Sequence, residues 1–329
     1  MALSGLQNFS LTRDNLITMA LQNVGAIGDG DTPNPTQLTE CSLLLNALIK
    51  HWQIDNIELW IRKLGYILPV SATNKTALGA EGGHASNSYV YTTVGTAAVS
   101  GASTLILTTA SGISNTNNIG IELADGTMQW TTVNGVPVGS TVTLTATLTQ
   151  AVAAGNSVYS YATKILRPDT VLDAYRRVSS NTLANQTDVP LIKKTQQEYN
   201  NLASKFQLGI PNSYFYDEVL GFNTSGYPGN GDFYFWPLFS DGDSVIVIQY
   251  TKIFDNLDSA SNNCEFPQAW FLPIMFGLSW LLAPKHGLPL DERSMLLKEM
   301  MLLKEAALER DQEFGSIYIQ PNPEWRNKQ

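Results

Sequence analysis

Residues 85–162, ASNSYVYTTVGTAAVSGASTLILTTASGISNTNNIGIELADGTMQWTTVNGVPVGSTVTLTATLTQAVAAGNSVYSYA, decide how this chain is organised. Glu122 and Asp125 are the only charged residues in this stretch, and Thr, Ser, Gly and Ala dominate it. Short β-branched runs alternate with glycine-containing turns, and Asp125-Gly126 is a good two-residue hairpin signal. Short strands at regular spacing are typical of an all-β module. We therefore predict a barrel or sandwich of about six strands at 85–163, inserted in another domain.

The residues that follow, 164–263, form a second β-rich region in this interpretation. A short helix is predicted within VPLIKKTQQEYNNLASKF, at 189–206. Hydrophobic alternation is weak in the last strand candidate, DSVIVIQYTKIF, which favours a strand covered on both faces. The strand candidates are RPDTVLDAYRRV (167–178), NSYFYDEVLGF (212–222), GDFYFWPLF (231–239) and DSVIVIQYTKIF (243–254).

The N-terminal segment, 1–84, contains two helix patterns followed by an extended run. Thr12 can cap the first helix, and Gly25 ends it. Asn34-Pro35 marks the start of the second helix, because proline is favoured at the first helical position. Two faces of that second helix are apolar, so it should bury against other helices. The run ELWIRKLGYILPV, at 58–70, alternates as a strand.

The C-terminal segment returns to helical patterns at 264–313 and then changes character. FPQAWFLPIMFGLSWLLAPKHG, at 266–287, predicts a buried helix, and Asp291 can cap the next one. The last residues, 314–329, hold apolar side chains and two prolines without a helical period, which predicts an extended tail.

Both ends of the chain are thus helical and the middle is β. The predicted fold class is α+β, with a helical bundle built from the N- and C-terminal segments (1–84 and 264–313) and inserted all-β modules (85–163 and 164–263). The predicted core residues of the helical bundle are Leu16, Leu21, Leu45, Trp52, Trp270, Trp280, Leu296 and Leu303.

Composition excludes several classes of protein. Twenty Lys and Arg against 29 Asp and Glu give a net charge of −9, which argues against a broad basic face that grips nucleic acid. With 43% hydrophobic and 15% charged residues, the chain is not expected to be disordered. Two cysteines, Cys41 and Cys264, cannot form a disulfide scaffold or a four-cysteine zinc site. We expect no signal peptide and no membrane span.

The common catalytic and cofactor motifs are missing from the sequence. There is no Gly-Lys pair for a P-loop, and HExxH, GxSxG and GxGxxG do not occur. The three histidines, His51, His84 and His286, lie beside no evident carboxylate and nucleophile. We therefore predict a non-enzymatic protein with no catalytic residue, no metal site and no cofactor.

Weaker signals leave two alternative functions open. Glu122 and Asp125 could serve a cell-wall or polysaccharide hydrolase, although three residues apart they flank one hairpin. Asp29-Gly-Asp31 and Asp241-Gly-Asp243 fit turns better than calcium loops, because no distal Glu follows. A sugar-stacking platform in a carbohydrate- or receptor-binding fibre module is the other alternative, although half of its rings should be core at strand spacing. The rings are Tyr214, Phe215, Tyr216, Phe233, Tyr234, Phe235 and Trp236.

Several longer motifs occur in order along the chain: TRDNLITMALQNVGAIGDGDTPNPTQLTECSLLLNALIKHW (12–52), RPDTVLDAYRR (167–177), PLIKKTQQEYNNLASKFQLGIPNSYFY (190–216), FPQAWFLPIMFGLSWLLAPKHGLP (266–289) and ALERDQEFGSIYIQPNP (307–323). Together they resemble the head-to-tail adaptor family of short-tailed phages, which includes the packaged-DNA stabilisation proteins. In the first motif the matching features are Ala20-Leu21, Gly25, the acidic loop with its prolines, Leu45-Asn46 and Trp52. Residues 85–162 depart from the smallest members of that family.

The resemblance implies a structural virion protein in the tail or neck, assembled in the host cytoplasm. It implies a ring of about twelve copies beneath the portal protein, with a tail tube or nozzle protein below and tail fibres as neighbours. Double-stranded DNA would pass through the ring without sequence-specific binding, and packaged DNA would be retained. In that family the C-terminal tail contacts the portal protein. The resemblance implies the same role here for Phe314, Ile317, Tyr318, Ile319 and Trp325.

Overall fold

The computed structural model describes residues 11–53, 62–178, 186–218, 229–240, 242–253, 255–260 and 267–310. These residues fall into two compact units, one within Met1–Ile61 and Phe254–Gln329 and the other within Arg62–Ile253. The predicted tail contacts Phe314, Ile317, Tyr318, Ile319 and Trp325 lie outside the described residues. The helices are α1 (Arg13–Asn23), α2 (Pro35–Gln53), α3 (Gln196–Asn200), α4 (Phe271–Leu282) and α5 (Leu290–Arg310).

Local capping explains where the first two helices begin. Thr12 Oγ1 accepts a hydrogen bond from the Asn15 amide at 3.3 Å, so the predicted cap of α1 is confirmed. At the start of α2, Asn34 Oδ1 accepts from the Gln37 amide at 2.8 Å, while Gln37 Oε1 accepts from the Asn34 amide at 3.0 Å. This reciprocal pair satisfies two of the amides that a helix start leaves unpaired.

Helices from both ends of the chain share one apolar core in the first unit. α4 packs against α1, α2 and α5. Gly277 lets α4 approach α2 closely, since a Cβ there would lie 3.0 Å from Leu48 and 3.2 Å from Trp52. No helix among the described residues has the length and apolar character needed to span a bilayer. Of the predicted core residues, Leu16, Leu21, Leu45, Trp52 and Trp270 are buried, whereas Trp280, Leu296 and Leu303 are half-buried.

The described residues of the second unit form four β-sheets. Their strand orders are β11-β10-β17-β1-β3, β12-β14-β15-β2, β13-β16 and β7-β6-β9-β4-β5-β8. The strands are β1 (Arg62–Ile67), β2 (Lys75–Leu78), β3 (Ala85–Ser86), β4 (Val90–Thr96), β5 (Thr104–Leu107), β6 (Asn118–Glu122), β7 (Met128–Thr132), β8 (Thr141–Thr143), β9 (Ser157–Tyr161), β10 (Pro168–Val178), β11 (Thr187–Pro190), β12 (Ile192–Lys193), β13 (Leu208–Gly209), β14 (Ser213–Asp217), β15 (Gly231–Trp236), β16 (Leu238–Phe239) and β17 (Ser244–Lys252).

The five-stranded and four-stranded sheets share an apolar core, and this pair of sheets is called the sandwich below. Ile246 and Ile248 of β17 pack in it with Phe233 and Phe235 of β15. On the other face of β17, Val245 and Val247 pack against a second apolar cluster that includes Tyr159 of β9. Because all four consecutive side chains from Val245 to Ile248 are fully buried, the prediction that this strand is covered on both faces is confirmed.

The six-stranded sheet, formed by residues between β3 and β10, curls around a core of its own. Val133 and Leu144 form an antiparallel bridge that brings the β7 and β8 ends of the sheet together. The Thr145 amide donates to the Thr132 carbonyl at 2.9 Å beside that bridge. Small aliphatic side chains such as Ile119, Val142 and Val158 fill the interior. These six strands therefore form a small curled half-barrel, called the barrel below.

The predicted fold class, a helical bundle that carries inserted β modules, is wrong. The protein is mostly β, and its strands form a unit with its own cores rather than inserts on a helical body. β1 and β2 lie in the segment 1–84 that was predicted to belong to the bundle, yet β1 pairs with β17 from Arg62↔Thr251 to Ile67↔Ile246. Local periodicity cannot reveal a pairing between strands so far apart in sequence, because tertiary contacts decide it.

Candidate functional site

The first candidate site is the place where the two ends of the chain meet. Ser279 on α4 is fully buried, its Oγ donates to the Met275 carbonyl at 2.9 Å, and it accepts from Asn23 Nδ2 at 3.4 Å. Residues 255–260 are fastened to α2, because Asn46 Oδ1 accepts from the Leu257 amide at 2.9 Å. This arrangement can hold two distant parts of the chain together.

Charged side chains border this helical core. Lys285, just after α4, forms an ion pair with Glu40 on α2. Arg13 pairs with Asp14 at 2.8 Å and donates to the Asp258 carbonyl at 2.9 Å. The Lys285–Glu40 pair is exposed and the Arg13–Asp14 pair joins adjacent residues, so we attribute the stability of the unit mainly to its apolar core.

The second candidate site is a polar cluster around His84 in the β unit, in which Tyr161 is buried and His84 and Trp130 are half-buried. The His84 ring stacks on Trp130, with ring centroids 3.8 Å apart and an angle of 10° between the planes. His84 Nδ1 lies 2.9 Å from the Tyr161 hydroxyl, and Lys164 Nζ donates to the Gly82 carbonyl at 2.5 Å. Burial, helped by the Lys164 charge, lowers the pKa of His84 to about 4, and burial raises the pKa of Tyr161. A neutral imidazole in this setting acts as a packing group between barrel and sandwich residues.

Trp130 is fixed from several sides, which makes its cross-strand partner Gly120 sensitive to substitution. Trp130 Nε1 donates to the Pro69 carbonyl at 3.1 Å, which holds the indole in place. A Cβ added at Gly120 would lie 2.6 Å from that indole. We expect Gly120→Ala to lower the free energy of unfolding of the β unit by about 2 kcal/mol, because the indole must move. Thermal denaturation measures the loss.

A double-mutant cycle tests the cause of that loss. The atoms that a Gly120 Cβ would meet belong to the six-membered ring of the Trp130 indole. In a Trp130→Phe background, where the side chain is shorter, we expect Gly120→Ala to cost less than half as much. If Gly120→Ala lowers the free energy of unfolding equally in both backgrounds, the destabilisation comes from the β6 backbone and not from contact with the indole.

A third cluster surrounds Ser157 of β9. The Ser157 amide donates to Glu122 Oε2 at 3.0 Å, and its Oγ donates to Asp243 Oδ1 at 2.7 Å. Tyr159 OH donates to the Gly242 carbonyl at 2.6 Å. These bonds connect the barrel to the turn that precedes β17, and they make Glu122 a bracing residue.

The carboxylates considered for a hydrolase have separate partners. Asp125 accepts from the Thr127 amide and hydroxyl at 3.0 and 2.6 Å, and these bonds lower its pKa, whereas Glu122 accepts from Ser157. Asp31 Oδ2 accepts from the Gly28 amide at 3.2 Å, which is turn geometry. Within the described ranges, His, Cys, Asp and Glu side chains nowhere gather in threes around a possible metal position. Asp241 and Cys264 lie outside the described residues.

The aromatic residues of β14 and β15 divide between the two faces of their sheet. Tyr214, Phe233 and Phe235 are buried in the sandwich core, as strand alternation predicted. Phe215 and Tyr234 are half-buried on the other face, and their ring centroids lie 5.8 Å apart. Tyr199 of α3 covers both, at 6.1 and 5.1 Å, so much of this aromatic surface is already used within the chain. Tyr216 and Trp236 are also half-buried.

Within the described part of the chain, the remaining candidates from the sequence do not gather into a common site. His51 is exposed on α2, His286 is half-buried after α4, and Cys41 is buried on α2. The basic doublets are engaged locally: Arg177 pairs with Asp188 at 2.8 Å, and Lys193 donates to the Val171 carbonyl at 2.9 Å. The His84 cluster was missed from the sequence, because the three residues that form it come from separate segments.

Comparison with known proteins gives little further guidance. No protein-family model matches the chain, and no curated protein matches it. Among solved structures, the tailspike gp61 of Pseudomonas phage phi297 aligns with 22% of this chain and 14% of its own chain, at 22% identity and a TM-score of 0.20. The alignment spans only that small part of the tailspike, and a likeness this partial says nothing about the fold or function of the present chain.

Proposed function

We propose that this chain is a structural head-to-tail adaptor of a phage virion, which forms a ring beneath the portal protein. In this role it extends the DNA channel, retains packaged DNA and provides the platform for tail attachment. The observation that carries the proposal is the packing of two sequence motifs that suggested the family. Gly277 in the later motif lies against Leu48 and Trp52 in the first, although more than 200 residues separate them.

The charge distribution supports a conduit for DNA. The segments Met1–Ile61 and Phe254–Gln329 hold 9 basic and 17 acidic residues, a net charge of −8, whereas Arg62–Ile253 holds 11 and 12, a net charge of −1. An acidic surface does not grip phosphates, so a ring that exposes the helical segments would let DNA slide.

Portal binding by the tail is the part of this proposal that is simplest to test. We expect a chain that ends at Asp311 to fold and to bind portal rings at least tenfold more weakly, because the apolar anchors of 314–329 are lost. Pull-down on purified portal, with electron microscopy of the mixture, measures binding and shows any ring beneath the portal. Undiminished binding by the shortened chain would refute the tail assignment, and failure of the full chain to bind would refute the adaptor role.

A carbohydrate- or receptor-binding fibre module remains the second candidate. The observation in its favour is the half-buried outer face of β14 and β15, where Phe215, Tyr234 and Trp236 lie. A glycan array with the purified chain separates the two functions, since the adaptor role requires no glycan binding.

A further inference from the structure

The sequence contains two Asn-Gly dipeptides, and the structure places them in different surroundings. Asn134 and Gly135 lie between β7 and β8, whereas Asn230 directly precedes β15, which begins at Gly231. An Asn-Gly pair is prone to react with itself, since glycine has no Cβ to keep its amide nitrogen away from the Asn side chain. The surroundings of each pair therefore decide whether the reaction occurs.

The reaction is the loss of the Asn side-chain amide through a cyclic imide. The glycine nitrogen gives up its proton and forms a bond to the Asn Cγ. The bond from Cγ to the side-chain nitrogen breaks, and that nitrogen leaves with the proton as ammonia. Water then opens the imide at one or the other carbonyl carbon, which gives isoaspartate or aspartate. Water is the co-reactant, so the reaction needs no enzyme.

The first pair has the room that ring closure needs. Asn134 is exposed, and a Cβ added at Gly135 would meet nothing within 4 Å. Gly135 has a φ of 83°, in the left-handed region that glycine adopts at little cost. Among the described residues, therefore, none crowds the Gly135 backbone as the Asn134 side chain approaches it.

Asn115 holds the nitrogen that would attack. The Gly135 amide donates to Asn115 Oδ1 at 2.8 Å. A hydrogen bond to the protonated form of a group opposes loss of the proton, and here it also directs the N–H towards Asn115. Asn115 is exposed, so this bond can open without disturbing the barrel core. The contact should slow the reaction at Asn134 without preventing it.

The second pair is enclosed by its neighbours. A Cβ added at Gly79 would clash with Asn230 Oδ1, so the Asn230 carboxamide packs directly on that glycine. Gly231 pairs with Leu78 in the four-stranded sheet, and the Tyr216 hydroxyl occupies the place that a Cβ on Gly231 would take. These contacts keep the Asn230 side chain from turning onto the Gly231 amide.

We propose that Asn134 is a site of spontaneous deamidation in the folded chain, and that Asn115 sets its rate by holding the Gly135 amide. The inference does not depend on the adaptor function, because the reaction requires only water. Its product adds a carboxylate to residues 85–162, which otherwise hold two charged side chains. The isoaspartate form also inserts a methylene group into the backbone between β7 and β8.

The test incubates the full chain at neutral and at mildly alkaline pH. Peptide mass spectrometry with chromatographic separation then measures Asn, aspartate and isoaspartate at positions 134 and 230. Asn115→Ala removes the acceptor, and Asn115→Asp retains an oxygen that accepts from the Gly135 amide. Asn134→Gln is the blank, because its longer side chain closes a ring far less readily. The same chain unfolded in urea is the reference, since neither dipeptide is held there.

In the folded chain we expect aspartate and isoaspartate at 134 but not at 230, with faster conversion at alkaline pH. The unfolded chain should form both products at both positions. Asn115→Ala should speed conversion of Asn134 about fivefold, as expected for the loss of one hydrogen bond, and Asn115→Asp less than about twofold.

Two results would overturn the assignment of the site. One is an Asn134 that stays intact in the folded chain while it converts in urea, and the other is an Asn230 that converts as fast as Asn134. Unchanged conversion in Asn115→Ala would refute the role given to Asn115. Equal acceleration by Asn115→Asp would refute it as well, because the loop and not the acceptor would then set the rate.

Discussion

Replacing Leu45 with alanine lowers the free energy of unfolding of the helical unit by about 3 kcal/mol. Leu45 is fully buried in the core that α1, α2 and α4 share. Removal of a buried leucine side chain costs the transfer free energy of the lost methyl groups and leaves a cavity. Hydrogen exchange of the α2 and α4 amides, followed by mass spectrometry, measures the lost protection.

Leu43 provides the matched control, because it lies on the same helix two residues away and is 68% exposed. We expect Leu43→Ala to change the same protection by less than about 0.5 kcal/mol. Equal losses from the two substitutions would mean that α2 does not use the face assigned here. The scaffold role would then lose its main support, since the packing of Leu48 and Trp52 against Gly277 depends on that face.

Helix ends and strand types in this protein follow from local sequence. Thr12 and Asn34 carry side-chain oxygens at the positions where helix amides need acceptors, and both form the expected bonds. The continuous apolar run from Val245 to Ile248 likewise indicated a strand with no solvent face. In each case, the information lies within a few residues of the feature.

The fold class could not be predicted from the sequence, because it depends on strand pairings that local sequence patterns do not encode. β2 pairs with β15 at Gly231↔Leu78, and β1 pairs with β17, so the β unit gathers strands from widely separated places. A strand's alternation says which side chains share a face, but not which sheet receives it. Because β1 and β2 were assigned to the helical segment, the predicted bundle was too large. The β unit was interpreted as an insertion for the same reason.

Helix α5 shows the same limit. The stripe of α5 around Met300 was visible as a helical period, and Lys298 and Glu299 were expected to be solvated. Met295 and Leu302 form a second apolar stripe seven residues apart, and this spacing was the available signal. Only the structure reveals that the first stripe is packed and the second is open.

The β unit should lose stability as pH falls from 6.5 to about 4, owing to His84. Its pKa is lowered from 6.5 to about 4 in the folded chain, by burial and by the charge of Lys164. Between these values the unfolded chain binds a proton at this site and the folded chain does not, so stability rises with pH across this window. The full stabilisation is present above pH 6.5, and up to about 3 kcal/mol of it is lost by pH 4. Urea unfolding at a series of pH values measures the slope.

His84→Asn isolates the contribution of the imidazole from that of the carboxylates, which titrate at the acidic end of the same range. The substitution loses the stacking on Trp130 and should lower stability at pH 7, but the pH dependence attributable to the proton should disappear. Proton NMR offers a direct check, since the His84 ring resonance should titrate near pH 4 in the folded chain. A His84 midpoint near 6.5, or an unchanged slope in the variant, would mean that water reaches the ring. The contacts of His84 with Trp130 and Tyr161 would then not shield the imidazole from water.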